Sequence, residues 1–265
     1  INSEIAFDTN NYLTIRALED GLSVSFTRLI EYGIDGIGWN KLNTGESTKP
    51  ISAGQTISFK GELMPFGFGV GVGTFTISNK CNLEGNCMSI LFGDNAVHNL
   101  SLYGKEYAFT SLFESCSQII EVDKDFLPAT TLVDYCYDSM FHGCTSLTSA
   151  PKLPATTLAD NCYDNMFNSC TSLRTAPELP ATTLVYACYN TMFNNCTSLQ
   201  TPPELPATTL ANGCYTQMFY MCTNLKYIKM LATDISAIGC LYYWVYGVVS
   251  SGTFVKNVNM NNLTT

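Results

Sequence analysis

The chain is poor in charge. Only 13% of its 265 residues are Asp, Glu, Lys or Arg, divided into 13 basic and 22 acidic side chains, for a formal net charge of -9. That balance repels phosphate backbones and anionic lipid, so nucleic acid and basic-patch membrane binding are set aside. There are two histidines, His98 and His142. His142 falls where other repeats carry Asn168, Asn194 and Tyr220, and reads as a solvated residue. No G-x-S-x-G elbow, H-E-x-x-H helix or D-x-D-x-D-G loop occurs. The acid pair Asp134 and Asp138 reads as part of a solvated face rather than an acid–base couple. The expectation is a non-enzyme with no cofactor and no metal. No apolar run approaches the ~20 residues of a membrane helix; the longest candidate, LYYWVYGVV at 241–249, is far shorter. The opening INSEIAFDTN has neither a basic nor an apolar leader region, so the expectation is either a cytosolic protein or one whose signal was removed before residue 1, and the twelve cysteines favour the second.

What the chain does have is a repeat. LPATTL opens at Leu127, Leu153, Leu179 and Leu205, and CTSL at Cys144, Cys170 and Cys196, followed by CTNL at Cys222. A fixed spacing of 26 residues marks a solenoid, in which each coil buries its apolar face against its neighbours. Within LVYACYNTMFNNC, residues 184–196, a wheel at about 100° per residue puts Leu184, Val185, Cys188, Tyr189, Met192, Phe193 and Cys196 on one half. That predicts an amphipathic helix, with Thr182 or Thr183 as its cap. The proline-rich CTSLQTPPELP predicts a short strand and a turn. YAFTSLFESC at 107–116 matches YCYDSMFHGC at 135–144 and reads as a degenerate first coil. The last coil, with CLYYWVYGV at 240–248, reads as a hydrophobic cap followed by the strand-like GTFVKN.

Residues 1–95 lack the repeat. YLTIRAL, LSVSFTRL, IGWNKL, TISFKGEL, GTFTIS and CMSILF read as short strands of a small sandwich-like domain. The glycine alternation from Gly67 to Gly73 has the wrong spacing for a phosphate cradle and reads as a place of close backbone approach. Cys81 and Cys87 bracket NLEGN, read as a hairpin loop that could join them.

Ten cysteines lie in the repeats. Their spacing does not suit zinc, which leaves buried thiols or disulfides. Cys136 and Cys144 on one helix would be about 12 Å apart, too far for a bond. Joining each corner cysteine to the next helix cysteine leaves none over: Cys116–Cys136, Cys144–Cys162, Cys170–Cys188, Cys196–Cys214 and Cys222–Cys240. Each closed loop would contribute about 3 kcal/mol, and this pairing is the expectation.

MFHGCTSL, MFNSCTSL, MFNNCTSL and MFYMCTNL, with the LPATTL blocks, resemble the BspA-like leucine-rich-repeat surface proteins. The resemblance covers residues 107–248. It implies an α/β solenoid of leucine-rich-repeat type, with short parallel strands on one side and helices on the other. Together with the strand pattern upstream, the expected organisation is an all-β sandwich-like domain at 1–95 and a capped solenoid at 96–265. The resemblance also implies a cell-surface or secreted protein, with a lipid anchor upstream in some members, that adheres to a host or community macromolecule such as a matrix protein or glycan. It carries no catalytic residues. Between repeats the framework is constant and exposed positions vary; Tyr186, Tyr220 and Met221, with Arg174 and Lys226 on the strand side, are the candidate binding residues. A carbohydrate-binding module centred on the terminal aromatics or the β domain, and a structural spacer, are the competing readings.

Overall fold

The structure is a computed structural model and describes residues 6–65 and 71–260. The strands are β1 (Leu13–Ala17), β2 (Val24–Phe26), β3 (Ile30–Ile34), β4 (Ile37–Leu42), β5 (Thr56–Lys60), β6 (Phe75–Ile77), β7 (Cys81–Gly85), β8 (Ile119–Val122), β9 (Tyr227–Met230) and β10 (Thr253–Lys256), and one helix, α1, spans Ser89–Phe92. A six-stranded sheet runs β4-β3-β5-β1-β7-β8, and β2 pairs with β6 beside it. Phe75 on β6 joins the two layers, with its ring 4.5 Å from Phe26 and 5.0 Å from Phe59. Two expectations fail here. CMSILF is not a strand, because Ser89–Phe92 is α1. NLEGN is not a hairpin loop: Asn82 to Gly85 belong to β7, which is paired between β1 and β8. Because β8 belongs to the first coil and pairs parallel to β7, sheet and coils share one core. Of the glycine run, residues 66–70 lie outside the described residues. A Cβ on Gly71 would stand 2.6 Å from the Thr110 carbonyl oxygen, so the backbone does approach the first coil closely there.

The coils stack, but they contain no helices. In the coil from Asp160 to Cys170, the N–H groups of Asn161, Tyr163, Asn165, Phe167 and Ser169 donate to the carbonyls of Tyr186, Cys188, Asn190, Met192 and Asn194 in the next coil, at 2.8–3.2 Å. The intervening N–H groups of Cys162, Asp164, Asn168 and Cys170 donate three residues back, to Ala159, Asn161, Asn165 and Phe167. The result is a ribbon of consecutive turns. Every fourth residue has positive φ, as Asn161, Asn165 and Ser169 do at 54°, 53° and 62°. A residue at the third place of a type II turn needs that region, whereas an α-helix never uses it.

Spacing explains why a helix is not formed. Helices pack 8–10 Å apart, whereas strands stack at about 4.8 Å. Here both sides of the coil advance together. The Tyr137–Tyr163–Tyr189 and Phe141–Phe167–Phe193 rings stack at 5.6–5.8 Å, tilted by no more than 4°. A ribbon that bonds directly to its neighbour fits that rise; a helix does not. The other side of the coil also differs from expectation. Ser149, Thr175 and Thr201 meet through isolated parallel bridges, as do Thr131 and Thr157. Prolines at 151, 154, 177 and 180 supply no N–H with which to extend a ladder.

Most of the wheel's apolar half points inward: Leu184, Cys188, Tyr189, Met192, Phe193 and Cys196 are buried and Val185 partly so, but Ala187 and Asn194, outside that half, are buried as well. The cysteines are not bonded to one another. All twelve — Cys81 and Cys87 included — are free, buried thiols, and none of the five cross-coil pairs forms. The corner thiols bond along the stack instead. Cys144, Cys170, Cys196 and Cys222 donate to the carbonyls of Phe113, Phe141, Phe167 and Phe193 at 3.0–3.2 Å. Burial pushes the thiol pKa values up, to about 12 for Cys136 and Cys188. They pack as small apolar side chains.

Candidate functional site

The turn ribbon leaves a regular outer face. In each coil two residues point inward and the next two outward, so outward positions align into columns down the stack. One column reads Glu106, Asp134, Asp160, Tyr186, Asn212, Ile238; the next pair of outward places reads Asp138, Asp164, Asn190, Thr216, Tyr242 and then Ser139, Asn165, Thr191, Gln217, Tyr243. The face is thus acidic over the first coils, amide-rich in the middle and aromatic over the last.

Much of the acidic part serves the backbone. Asp134 accepts from the Asp160 N–H at 3.1 Å, Asp160 from the Tyr186 N–H at 3.1 Å, and Asn212 from the Ile238 N–H at 2.9 Å. Asp164 Oδ1 accepts from Asn190 Nδ2 and Thr191 Oγ1, both at 3.0 Å. Burial raises the Asp164 carboxyl above its usual range despite these bonds. Asp138 is pushed up to about 6, first by burial and then by the nearby charges of Asp164 and Glu114, against a Ser139 hydrogen bond and His142, which lower it. His142 Nδ1 lies 3.2 Å from Glu114 Oε1. Among the described residues, no three His, Cys, Asp or Glu side chains converge as metal ligands would.

The candidate binding residues do not form one cluster. Tyr186 is 56% exposed and stands alone in the amide-rich middle. Arg174 is exposed on the bridge side, where its carbonyl accepts from Gln200 and Thr201. Tyr220 and Met221 lie at the C-terminal end of the ribbon face, and Tyr220 stacks on Tyr246 at 5.2 Å. Tyr246 in turn meets Tyr243, and Tyr243 meets Tyr242 at 4.3 Å. These three tyrosines are exposed; the sequence offers them as part of a hydrophobic cap or, in the competing reading, of a carbohydrate-binding platform. Their common face follows once the four-residue turn period is known. Lys226 is exposed beside an apolar groove of about 770 Å³ at that same end, between the last ribbon and β10. Trp244 is buried there, edge-on to Phe254 at 5.7 Å.

No helix among the described residues is long and apolar enough to cross a membrane. Comparison with family models, with curated proteins and with solved structures gave no match.

Proposed function

We propose that the chain is a non-catalytic binding protein of a cell surface or extracellular space, and that it contacts its ligand through the C-terminal third of the ribbon face. One observation carries this reading. Tyr220, Tyr242, Tyr243 and Tyr246 form a contiguous aromatic surface on a framework whose equivalent places in the preceding coils hold polar side chains, among them Asp138, Asp164, Asn190, Thr191 and Gln217. Tyrosines held on a rigid backbone contribute large contact area with little ordering cost. They are enriched at binding hot spots, whereas acids are depleted there. The likeness of the MF..CTSL unit to BspA-like surface proteins supports the placement and an adhesive role. The ligand class that follows is a matrix protein or glycan of a host or neighbouring cell, and a lipid anchor upstream of residue 1 fits the same reading.

The test is a binding screen of the intact protein against matrix proteins and glycans at physiological salt. A specific ligand should lose about tenfold or more in affinity on Tyr243→Ala or Tyr246→Ala, and little on Tyr186→Ala, which lies outside the cluster. A ligand indifferent to all three substitutions would move the site elsewhere. Silence from the folded protein would leave it a structural spacer.

A further inference from the structure

The turn ribbon is polar along the stack. In every inner coil, alternate carbonyls face the preceding coil and alternate N–H groups face the following one. One edge of the stack is therefore all acceptors and the other all donors. The acceptor edge is occupied. Val72 and Phe75 donate to the Ala108 and Leu112 carbonyls of the first coil, and Gly71 lies against Thr110. Phe75 also continues the phenylalanine stack, 5.3 Å from Phe113.

The donor edge is not occupied in this way. The last coil accepts normally: Ile238, Cys240, Tyr242, Trp244 and Tyr246 take bonds from Gly213, Tyr215, Gln217, Phe219 and Met221 at 2.7–3.0 Å. Its own N–H groups at Gly239, Leu241, Tyr243, Val245 and Gly247 meet no acceptor among the described residues. β10 pairs with β9 on the other side of the coil and reaches the ribbon through Phe254, which stands edge-on to Trp244. Between ribbon and β10 runs the groove of about 770 Å³, lined by Leu241, Trp244, Val245, Val248 and Phe254.

We propose that this edge docks a segment of another polypeptide, which adds to the stack as a further coil. The segment presents backbone carbonyls at every second residue and sets an apolar or aromatic side chain into the groove against Trp244 and Phe254. The warrant is continuity with an interface already present. Each coil in the chain receives its successor on this same row of donors, over the same column of buried rings. A row of unpaired N–H groups beside an apolar groove is the feature that strand-addition recognition uses. A second copy of this chain does not fit. Two donor edges would face N–H to N–H, and the chain's own acceptor edge lies under Gly71–Phe75. The proposal concerns the edge of the stack and is independent of the tyrosine face.

The experiment follows amide hydrogen exchange in the full chain. In the free protein the five amides from Gly239 to Gly247 should exchange at least a hundredfold faster than their counterparts from Gly213 to Met221. A copy of residues 179–204 is then appended after Thr265 through a flexible Gly/Ser linker, which holds it at roughly millimolar effective concentration. The expected result is protection of all five amides by a hundredfold or more, reduced when the appended copy carries Phe193→Ala. Five amides already protected in the free chain would overturn the proposal. So would an appended coil that leaves them exchanging, since the chain's own coils order on this same edge. Protection by hyaluronan or chitooligosaccharide but not by the coil would assign the edge to a glycan instead.

Discussion

The two ends of the stack are built from one repeat and finished differently. At the first coil, Gly71, Val72 and Phe75 from the β region lie on the ribbon, bond to it and extend its ring column. At the last coil the bridge side gains a partner strand, β10, whereas the ribbon side ends in N–H groups with no acceptor among the described residues, a groove and four exposed or half-buried tyrosines. Coils in the middle are interchangeable because each gives its neighbour what it receives. An end has no such neighbour, so its chemistry is set by whatever covers it. Sealed and open ends should therefore differ in dynamics, in tolerance of substitution and in what they bind.

The largest difference expected is in thiol reactivity. Interior thiols are buried with raised pKa values, so alkylation must wait for unfolding. Cys240 lies in the last coil, which has no successor to hold it shut. In the native protein without reductant, iodoacetamide should label Cys240 on the order of a thousandfold faster than Cys170 or Cys196, the ratio a global stability of a few kcal/mol imposes. Peptide mass spectrometry reads the rates. After denaturation all twelve cysteines should label; a shortfall in pairs would restore the disulfide expectation.

Core truncation comes next. Phe167 is fully buried between Phe141 and Phe193, and Phe167→Ala should cost about 3–5 kcal/mol in urea unfolding. Phe254, the last ring of the same column, is 37% exposed, and Phe254→Ala should cost about 1 kcal/mol. Equal losses would mean that the C-terminal end is as well covered as the middle. Glycines give a smaller contrast. Gly71→Ala drives a Cβ to 2.6 Å from the Thr110 carbonyl oxygen and should cost about 2–3 kcal/mol, because backbone must move. Gly239→Ala at the open end meets nothing closer than 3.9 Å and should cost about 1 kcal/mol, the strain of its φ of 67° alone.

The same contrast explains which features were legible in the sequence. The period, the register, the degenerate first coil and the inward-facing residues are all visible there, because burial demands them of every repeat. The local conformation is not. Inward pairs recur every four residues, at Cys188/Tyr189 and Met192/Phe193, with Cys196 next. On a helical wheel a four-residue step overshoots by about 40°, so two steps still fall within one apolar half. The discriminating signal was the residue after each outward one, often Asn, Ser or Gly, as at Gly143, Asn161, Asn165 and Ser169. β7 is not legible in the sequence because Asn, Glu and Gly are poor strand formers in isolation, and its pairing with β1 and β8 overrides that preference. The open donor row had no sequence signature, since an unpaired N–H at Tyr243 depends on what lies beyond the coil rather than on its side chain.

The smallest effect separates the acidic part of the ribbon face from the aromatic part. Folded Asp138 holds its proton to about pH 6, whereas an unfolded aspartate releases it near ~4. Between those values the native state binds more protons than the unfolded state, so its stability falls as pH rises through the window and levels off above it. Asp164 is raised for the same reason and adds in the same direction. The neighbours of Asp138 are Ser139, Asp164, Glu114 and His142, and an amide in its place still accepts from the Ser139 hydroxyl, now 2.9 Å from Oδ1. Asp138→Asn should therefore stabilise the protein above pH 6 by about 1 kcal/mol, after allowing for solvent screening, and change little at pH 4. Thermal melts of both proteins from pH 4 to pH 7 measure this as a gap of a few degrees that opens with rising pH. A gap that is constant across the range, or that closes as pH rises, would mean that Asp138 ionises as an ordinary exposed carboxylate. The acidic coils would then be as freely solvated as the tyrosine end.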